Sequence, residues 1–238
     1  MTTLLRIEAL ESGYGDVQVL WGVDLEVAAG SITCIVGSNG AGKTTLLRTI
    51  SGVVKTRAGR ISFGGQDLTG ALPDKVLASG VAHVPEGRRL FRGLSVADNL
   101  LLGAYLRRAA PGEIARDLET VYAIFPILRE RRHQDATTLS GGEQQMCAIG
   151  RGIMSRPQLL LIDELSLGLA PKAVESLSDA LRDVNKAGIT ILLVEQDVLT
   201  AFDLAATAHV VDMGRVIKSG PTAALVDDPA IRAAYMGF

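Results

Sequence analysis

The sequence is poor in cysteine, histidine and net charge, and each shortage excludes a class of protein. The two cysteines, Cys34 and Cys147, sit in apolar stretches without the spacing of a metal site or a disulfide framework. The three histidines, His83, His133 and His209, share no ligand spacing either. A formal net charge of -2 supplies no broad basic field for nucleic acid phosphates. We therefore expect buried, inert thiols, no histidine metal site and no nucleic acid partner.

Long hydrophobic runs are also missing, although the mean hydropathy of +0.27 is high. The most apolar runs, residues 159–162 and 189–194, are far shorter than the roughly 20 residues that a membrane-spanning helix needs. They are typical of strands buried on both faces of a parallel sheet. Near the N-terminus, Arg6 and Glu8 interrupt the apolar residues before a signal-peptide core could form. The sequence therefore predicts a cytoplasmic protein.

The order of patterns along the chain predicts an α/β fold. Apolar residues alternate through residues 5–9 and 17–27 on either side of a turn at residues 13–16, which predicts a β-hairpin. From about residue 95 to 155 the apolar residues are spaced by three and four, as in helices. Strand patterns alternating with helices return after this segment, as a parallel sheet requires. A helical segment is thus inserted into an α/β core.

The loop after the third predicted strand carries the most specific motif. Residues 37–44 read GSNGAGKT and match G-x-x-x-x-G-K-[ST], directly after a strand and directly before a helix. Its glycines let backbone N–H groups curl around phosphates, Lys43 reaches the β and γ oxygens, and the Thr44 hydroxyl can bind magnesium. The motif predicts a triphosphate site formed by Gly37, Ser38, Asn39, Gly40, Ala41, Gly42, Lys43, Thr44 and Thr45.

Two carboxylates, Asp163 and Glu164, follow the apolar run 159–162. Ligands of open α/β sheets bind at the carboxyl ends of the strands, so we expect this pair beside the phosphate loop. There Asp163 is assigned to the magnesium shell and Glu164 to polarising the attacking water. An acidic pair alone is more often the opening turn of a helix. The presence of Lys43 and Thr44 in the same sequence favours a catalytic role for this pair.

A third element, LSGGEQQ at residues 139–145, opens a predicted helix. The Ser140 side chain and the N–H groups at Gly141 and Gly142 would face outward as a second phosphate-binding end. Taken alone, the heptad is more simply a helix N-cap.

These three motifs, in this order and spacing, resemble the ATP-binding cassette (ABC) family over essentially the whole chain. The resemblance implies a P-loop NTPase (RecA-like) core with an N-terminal antiparallel β subdomain and an inserted helical subdomain. It implies one nucleotide-binding domain, residues 1–238, with a core of 1–88 and 157–238 and an insert of 89–156. It also implies head-to-tail pairs in which each ATP lies between the phosphate loop of one copy and Ser140, Gly141 and Gly142 of the other.

Tyr14 falls where the family places an aromatic residue that stacks on adenine. The alternative is a turn tyrosine that packs on its own hairpin.

Further segments narrow the resemblance to the smaller ATPase of the branched-chain amino acid importers: VPEGRRLF at 84–91, SLGLAP at 166–171, LVEQD at 193–197, and a tail helix opened by Asp228 and Pro229 and ending at Gly237. The implied function is hydrolysis of ATP with Mg²⁺ to power the uptake of branched-chain amino acids, with urea and short amides as alternative cargo. The implied partners are membrane permease subunits, a second copy or a sister ATPase, and indirectly a solute-binding protein. The implied location is the cytoplasmic face of the cell membrane.

The sequence departs from the general family pattern at four positions. Most cassette ATPases carry Gln where this chain has Glu86 and His where it has Gln196. We expect Glu86 to place a carboxylate near magnesium and the γ-phosphate, and Gln196 to donate its amide to the γ-phosphate as a catalytic group. Leu165 and Ala170 replace the usual Pro and Asp, and we expect Leu165 to alter backbone stiffness more than chemistry.

The resemblance also predicts that the loop from Glu86 and the helices after it face the membrane subunit. Arg88, Arg89 and Phe91 are the candidate contacts, and a solvated surface pair is the alternative for the two arginines.

Two rival classes are a P-loop kinase or GTPase with a soluble substrate, and a cassette ATPase that acts on ribosomes or DNA without a transporter. The LSGGEQQ helix and the acidic pair Asp163-Glu164 argue against the first. The second usually fuses two cassettes or carries a long coiled-coil insert, and this sequence has neither.

Overall fold

The computed structural model describes residues 2–236, which form two compact units. The first unit is built from the described residues of Met1–Val76 and Thr190–Phe238, and the second is Leu77–Ile189. Met1, Gly237 and Phe238, which the predicted domain and tail helix include, lie outside the described residues. The predicted bounds of core and insert stay a prediction.

An antiparallel sheet opens the first unit, in the strand order β2-β1-β4-β5. Its members are β1 (Thr3–Tyr14), β2 (Val17–Ala28), β4 (Thr56–Phe63) and β5 (Gln66–Asp67). Tyr14 is paired with Val17 across the turn, which confirms the predicted hairpin. Leu5, Ile7 and Leu10 are almost fully buried, so one face of the sheet is core and the other meets water.

A β-bulge at Ala9 breaks the alternation that the sequence suggested. The register of β1 shifts between Ile7 and Leu10, and Ala9 is exposed with a left-handed φ of 47°. The Ala9 N–H donates to Oδ1 of Asp24 at 2.8 Å. The extra residue moves Leu10 onto the buried face that Ala9 was expected to share.

The first unit also holds the strands β10-β9-β3-β8, in that order. These are β3 (Ile32–Val36), β8 (Thr190–Glu195), β9 (Thr207–Asp212) and β10 (Arg215–Pro221). β3 is buried at every residue and runs parallel to both β8 and β9, as the continuous apolar runs predicted. β10 pairs antiparallel with β9 and was not predicted, because its mostly exposed residues lack an apolar pattern.

The helices of the first unit are α1 (Lys43–Ile50), α8 (Val198–Leu204), α9 (Thr222–Leu225) and α10 (Pro229–Ile231), and a π-helical turn covers Arg232–Met236. α2 (Pro73–Ala78) contains the boundary between the units. The carboxylates of Asp197 and Asp228 accept N–H bonds from the first turns of α8 and α10. α1 ends at Ile50 before Gly52, whose φ is 74°.

In the second unit, β6 (Val81–Val84) and β7 (Leu159–Asp163) pair in parallel. Its helices are α3 (Val96–Leu102), α4 (Pro111–Ile124), α5 (Pro126–Glu130), a 3₁₀ turn (Ala136–Thr138), α6 (Gly141–Ile153) and α7 (Pro171–Lys186). Gly150 of α6 lets helices approach closely, since a Cβ there would lie 2.8 Å from Leu100 of α3 and 2.9 Å from Val121 of α4. The predicted helical character of this segment is therefore observed.

The two thiols are in the interior, as the sequence suggested. Cys34 and Cys147 are both fully buried, and burial raises the pKa of each to about 12. Neither thiol forms a thiolate near neutral pH. Within residues 2–236, the longest apolar helices fall short of what a bilayer crossing requires.

Candidate functional site

The phosphate loop, residues 37–42, depends on glycine for two different reasons. Gly40 and Gly42 adopt φ values of 79° and 106°, where side chains with a Cβ are strained. Gly37 packs against the backbone of β9, and a Cβ there would lie 2.1 Å from the carbonyl oxygen of Val211. Gly42 is the N-cap of α1 and has no side chain to cap the helix, so the N–H groups of the first turn have no side-chain acceptor at this position.

The ammonium group of Lys43 lies inside this loop. Lys43 is 5% exposed, and its Nζ donates to the carbonyl oxygens of Gly37 at 2.8 Å and Ser38 at 3.1 Å. The first turn of α1 contains no acidic side chain. A buried cation and a helix N-terminus therefore act on the same point, which is the electrostatic requirement of a phosphate site.

The β9–β10 turn braces the same loop from outside. The Gly214 N–H donates to the carbonyl oxygen of Ala41 at 2.8 Å, and the Gly214 carbonyl accepts the N–H of Trp21 at 2.9 Å. A Cβ at Gly214 would lie 1.8 Å from the Val19 carbonyl oxygen. One glycine thus links β2 to the phosphate loop.

Tyr14 lies at the end of β1 with 44% of its surface exposed. Its hydroxyl accepts hydrogen bonds from Oγ1 of Thr45 at 3.4 Å and Nη1 of Arg48 at 3.3 Å, both on α1. The ring is therefore tethered to the helix that starts at the phosphate loop. Its stacking on a base stays a prediction.

Gln196 follows β8 and is exposed. Its N–H donates to Oε2 of the preceding Glu195 at 3.1 Å. Glu195 is fully buried and is in register with Val36, the residue before the loop. Glu195 was not identified from the sequence, although a carboxylate that closes an otherwise apolar strand was a visible signal.

In the second unit, the acidic pair ends β7. Asp163 is fully buried, whereas Glu164 is half-buried and has a left-handed φ of 57°. The next residue, Leu165, is 1% exposed. Glu164 is thus held between two buried neighbours in a conformation that non-glycine residues rarely adopt, and such strain is common in active sites.

The start of α6 is a complete capping box. Oγ of Ser140 accepts the N–H of Glu143, and Oε2 of Glu143 accepts the N–H of Ser140 at 2.8 Å. The hydrogen bond to Ser140 lowers the pKa of the Glu143 carboxyl. Close packing also favours glycine at positions 141 and 142. A Cβ at Gly142, for example, would lie 2.9 Å from Cβ of Ala173. Ser140 is therefore the N-cap of α6, and its side chain is exposed at the helix end.

The loop 86–91 lies against this same helix. Arg88 and Arg89 have left-handed φ values of 64° and 48°. Arg151 of α6 donates from Nη2 to the Arg88 carbonyl at 3.1 Å and from Nη1 to the Arg89 carbonyl at 2.7 Å. Its guanidinium carbon is 5.5 Å from the ring centroid of Phe91. Arg151 was not identified from the sequence, because no local pattern distinguishes it from a surface arginine.

The Arg88 side chain does not extend freely into solvent. Its Nη1 is 3.4 Å from Oε1 of Gln144, and its guanidinium lies beside Gly141. Glu86 and Phe91 are exposed. The second unit therefore brings the 86–91 loop and the Ser140 end of α6 together, whereas the first unit groups Tyr14 with the phosphate loop.

The three predicted metal ligands differ in their burial. Thr44 is half-buried directly after Lys43, Asp163 is fully buried and Glu86 is exposed. In the described part of the chain, no three His, Cys, Asp or Glu side chains are grouped as a metal cage. The hydroxyl of Thr44 and the carboxylates of Asp163 and Glu86 are oxygen ligands of the kind that Mg²⁺ takes.

Comparison with known proteins gives a consistent result. A model of the ABC transporter family matches residues 20–166. The chain is 41% identical over 234 residues to the high-affinity branched-chain amino acid transport ATP-binding protein BraG of Pseudomonas aeruginosa, covering 98% of this chain and 100% of the relative. It is 34% identical over 238 residues to the probable branched-chain amino acid transport ATP-binding protein LivF of Archaeoglobus fulgidus, covering 99% of each. The crystal structure of an ABC transporter cassette in its ADP conformation superposes with a TM-score of 0.87 at 25% identity and covers 100% of both chains.

Proposed function

Because this chain belongs to the ABC transporter family and is an ATPase of that family, we propose that it is the ATP-binding subunit of an importer of branched-chain amino acids or related small solutes. The observation that carries the proposal is the buried ammonium of Lys43 inside a glycine loop at the start of α1. The cargo follows from the names of relatives that align with nearly the whole chain. Urea and short amides are the alternative cargo.

The substrate is ATP, and the proposed reaction is hydrolysis at its γ-phosphorus. The Glu164 carboxylate orients a water molecule and accepts its proton as the oxygen bonds to phosphorus. The bond between phosphorus and the β–γ bridging oxygen breaks, which leaves ADP and inorganic phosphate. Lys43 and the backbone of residues 37–45 hold the charge of the β and γ oxygens. Gln196 donates its side-chain amide to the γ-phosphate.

Magnesium would be held by the Thr44 hydroxyl, Asp163 and the phosphate oxygens, with Glu86 as an additional carboxylate. When bound, the ion neutralises charge on the β and γ oxygens. Asp163 supports this assignment because its carboxylate is fully buried at a strand end.

The working unit is a pair of ATPase subunits, either two copies or one copy with a sister subunit. In such a pair, Ser140, Gly141 and Gly142 of one subunit contact the ATP that is held by the phosphate loop of the other. The exposed Ser140 at the capped end of α6 supports this role. Tyr14 stacks on the adenine.

The ATPase docks on membrane permease subunits at the cytoplasmic face of the membrane, and a solute-binding protein delivers the cargo from the other side. Arg88, Arg89 and Phe91 are the proposed docking residues. Phe91 supports this role because it is 53% exposed and rests on Arg151.

Replacement of Glu164 with Gln tests the catalytic assignment. The variant should bind Mg-ATP, hydrolyse it very slowly and accumulate as closed pairs, because the amide cannot accept the proton of water. The assay is phosphate release by the assembled transporter, with Glu175→Gln on the exposed side of α7 as the matched control. Wild-type turnover by Glu164→Gln would remove Glu164 from this role.

A further inference from the structure

The end of β1 is fastened to one face of α1. Oγ1 of Thr49 donates to Oγ of Ser12 at 2.9 Å. Oγ1 of Thr45 and Nη1 of Arg48 donate to the Tyr14 hydroxyl at 3.4 and 3.3 Å. Positions 45, 48 and 49 share a helix face because they are spaced by three and four. Two side chains of the strand are therefore held by three side chains of a single helix face.

The turn that carries Tyr14 is also held from the neighbouring strand. Nη2 of Arg57 in β4 donates to the carbonyl oxygens of Gly15 at 2.6 Å and Val17 at 3.1 Å. Gly13 adds a close backbone contact, since a Cβ there would lie 2.0 Å from the Val17 carbonyl oxygen. The backbone of the turn is thus constrained by β4, and the ring of Tyr14 is constrained by α1.

The helix that makes these contacts is also the helix of the phosphate loop. Lys43 begins α1, and Arg48 lies five residues later, about 7.5 Å further along the axis. Lys43 reaches back into the loop, whereas Arg48 reaches the hydroxyl end of a half-exposed aromatic ring. One helix therefore sets the position of both candidate ends of a nucleotide site.

We propose that Arg48 is a positioning residue for the nucleotide base. By donating to the Tyr14 hydroxyl, it holds the ring in the orientation in which a purine stacks on it. The inference rests on the proposed function, in which Tyr14 stacks on adenine. Thr45 makes the second bond to the same hydroxyl, but it follows the phosphate loop directly and is not a clean probe.

The expected effects differ in size for stacking and for positioning. Tyr14→Ala removes the aromatic platform and should weaken ATP binding about 5- to 150-fold. Arg48→Met keeps much of the aliphatic stem but removes the donor, so the ring must be immobilised when the base binds. Immobilising one such side chain on binding should weaken the affinity of Arg48→Met for ATP about 2- to 12-fold. Tyr14→Phe removes the acceptor of this bond and of the bond from Thr45, so it should weaken ATP binding at least as much as Arg48→Met.

The test is calorimetric titration of the purified full-length chain with Mg-ATP and with magnesium tripolyphosphate, which has no base. Arg48→Met and Tyr14→Phe should weaken the binding of ATP and leave the binding of tripolyphosphate unchanged. The double variant should bind ATP no more weakly than Tyr14→Phe alone, because Tyr14→Phe already removes the hydroxyl to which Arg48 donates. Arg60→Met is the matched control, since Arg60 is an exposed arginine of β4 paired with Asp67.

The possible failures are distinguishable. If Tyr14→Ala weakens ATP but Arg48→Met does not, the positioning role is wrong and the proposed function stands. Equal weakening of ATP and tripolyphosphate by Arg48→Met would reveal a general charge effect and would also overturn the positioning role. If the wild-type chain binds neither ligand, the proposed function itself fails.

Discussion

Replacement of Arg151 with Met is the sharpest test of how the 86–91 loop is held. Met fills part of the volume of the arginine stem but donates no hydrogen bond. The change removes the two bonds to the carbonyl oxygens of Arg88 and Arg89 and the contact with the Phe91 ring. The loop would then keep its bonds to Asn99 of α3, whose Oδ1 accepts the Phe91 N–H at 2.8 Å.

The expected loss of stability follows from these three contacts. The exposed bond to Arg89 contributes about 0.5–1 kcal/mol and the part-buried bond to Arg88 about 1.5 kcal/mol. The ring contact adds about 0.5–1 kcal/mol. Relaxation of one left-handed residue, Arg88 or Arg89, returns about 1 kcal/mol. The free energy of unfolding should therefore fall by about 2 kcal/mol.

Urea unfolding measures this change, and tryptic cleavage under native conditions locates it. Cleavage after Arg88 and Arg89 should accelerate in Arg151→Met, because the loop opens locally more often. Arg108→Met is the control, since Arg108 is exposed. A free energy of unfolding within about 0.5 kcal/mol of wild type, together with unchanged cleavage at the loop, would refute the reasoning.

Three further predictions follow from other parts of the fold. His209 is buried and its pKa is lowered by desolvation, so below about pH 6.5 the unfolded chain binds a proton that the folded chain does not. As the pH falls below this value, urea unfolding should show the free energy of unfolding decreasing by up to about 1.4 kcal/mol per pH unit, and His209→Gln should reduce this dependence. Gly214→Ala should lower the free energy of unfolding by more than about 2 kcal/mol, because its Cβ collides with the Val19 carbonyl oxygen. Gly15→Ala has open space around it and should lower the free energy of unfolding by only about 1 kcal/mol, so equal urea midpoints for the two variants would contradict this prediction. Ser140→Gly should change the urea midpoint little, since Gly is an adequate N-cap, yet should slow ATP hydrolysis in assembled pairs, and normal turnover would argue against its contact with the partner's ATP.

The fold was predictable wherever the signal was local. The runs that became β3, β7 and β8 are apolar at nearly every residue, and the glycine loop before Lys43 is fixed by its own spacing. The α/β fold, the family and the ATPase function are confirmed by the family match and the relatives. β10 and the bulge at Ala9 were missed, because an exposed edge strand and a register shift depend on the neighbouring strand rather than on their own sequence.

The candidate site was predictable in its motif residues and not in their supports. Tyr14 and Ser140 could be named from sequence, and their roles stay predictions. Arg48 and Arg151 could not, since each matters through contacts with residues far away in sequence.

The bond from Gly214 to Ala41 makes the only tryptophan of the chain a natural optical reporter. The backbone N–H of Trp21 donates to Gly214, which bonds the phosphate loop, and the tryptophan residue is 42% exposed. A rearrangement of the loop around a triphosphate would reach the fluorophore through two hydrogen bonds. Nucleotide binding by the unlabelled chain should therefore be readable as a change in its intrinsic emission.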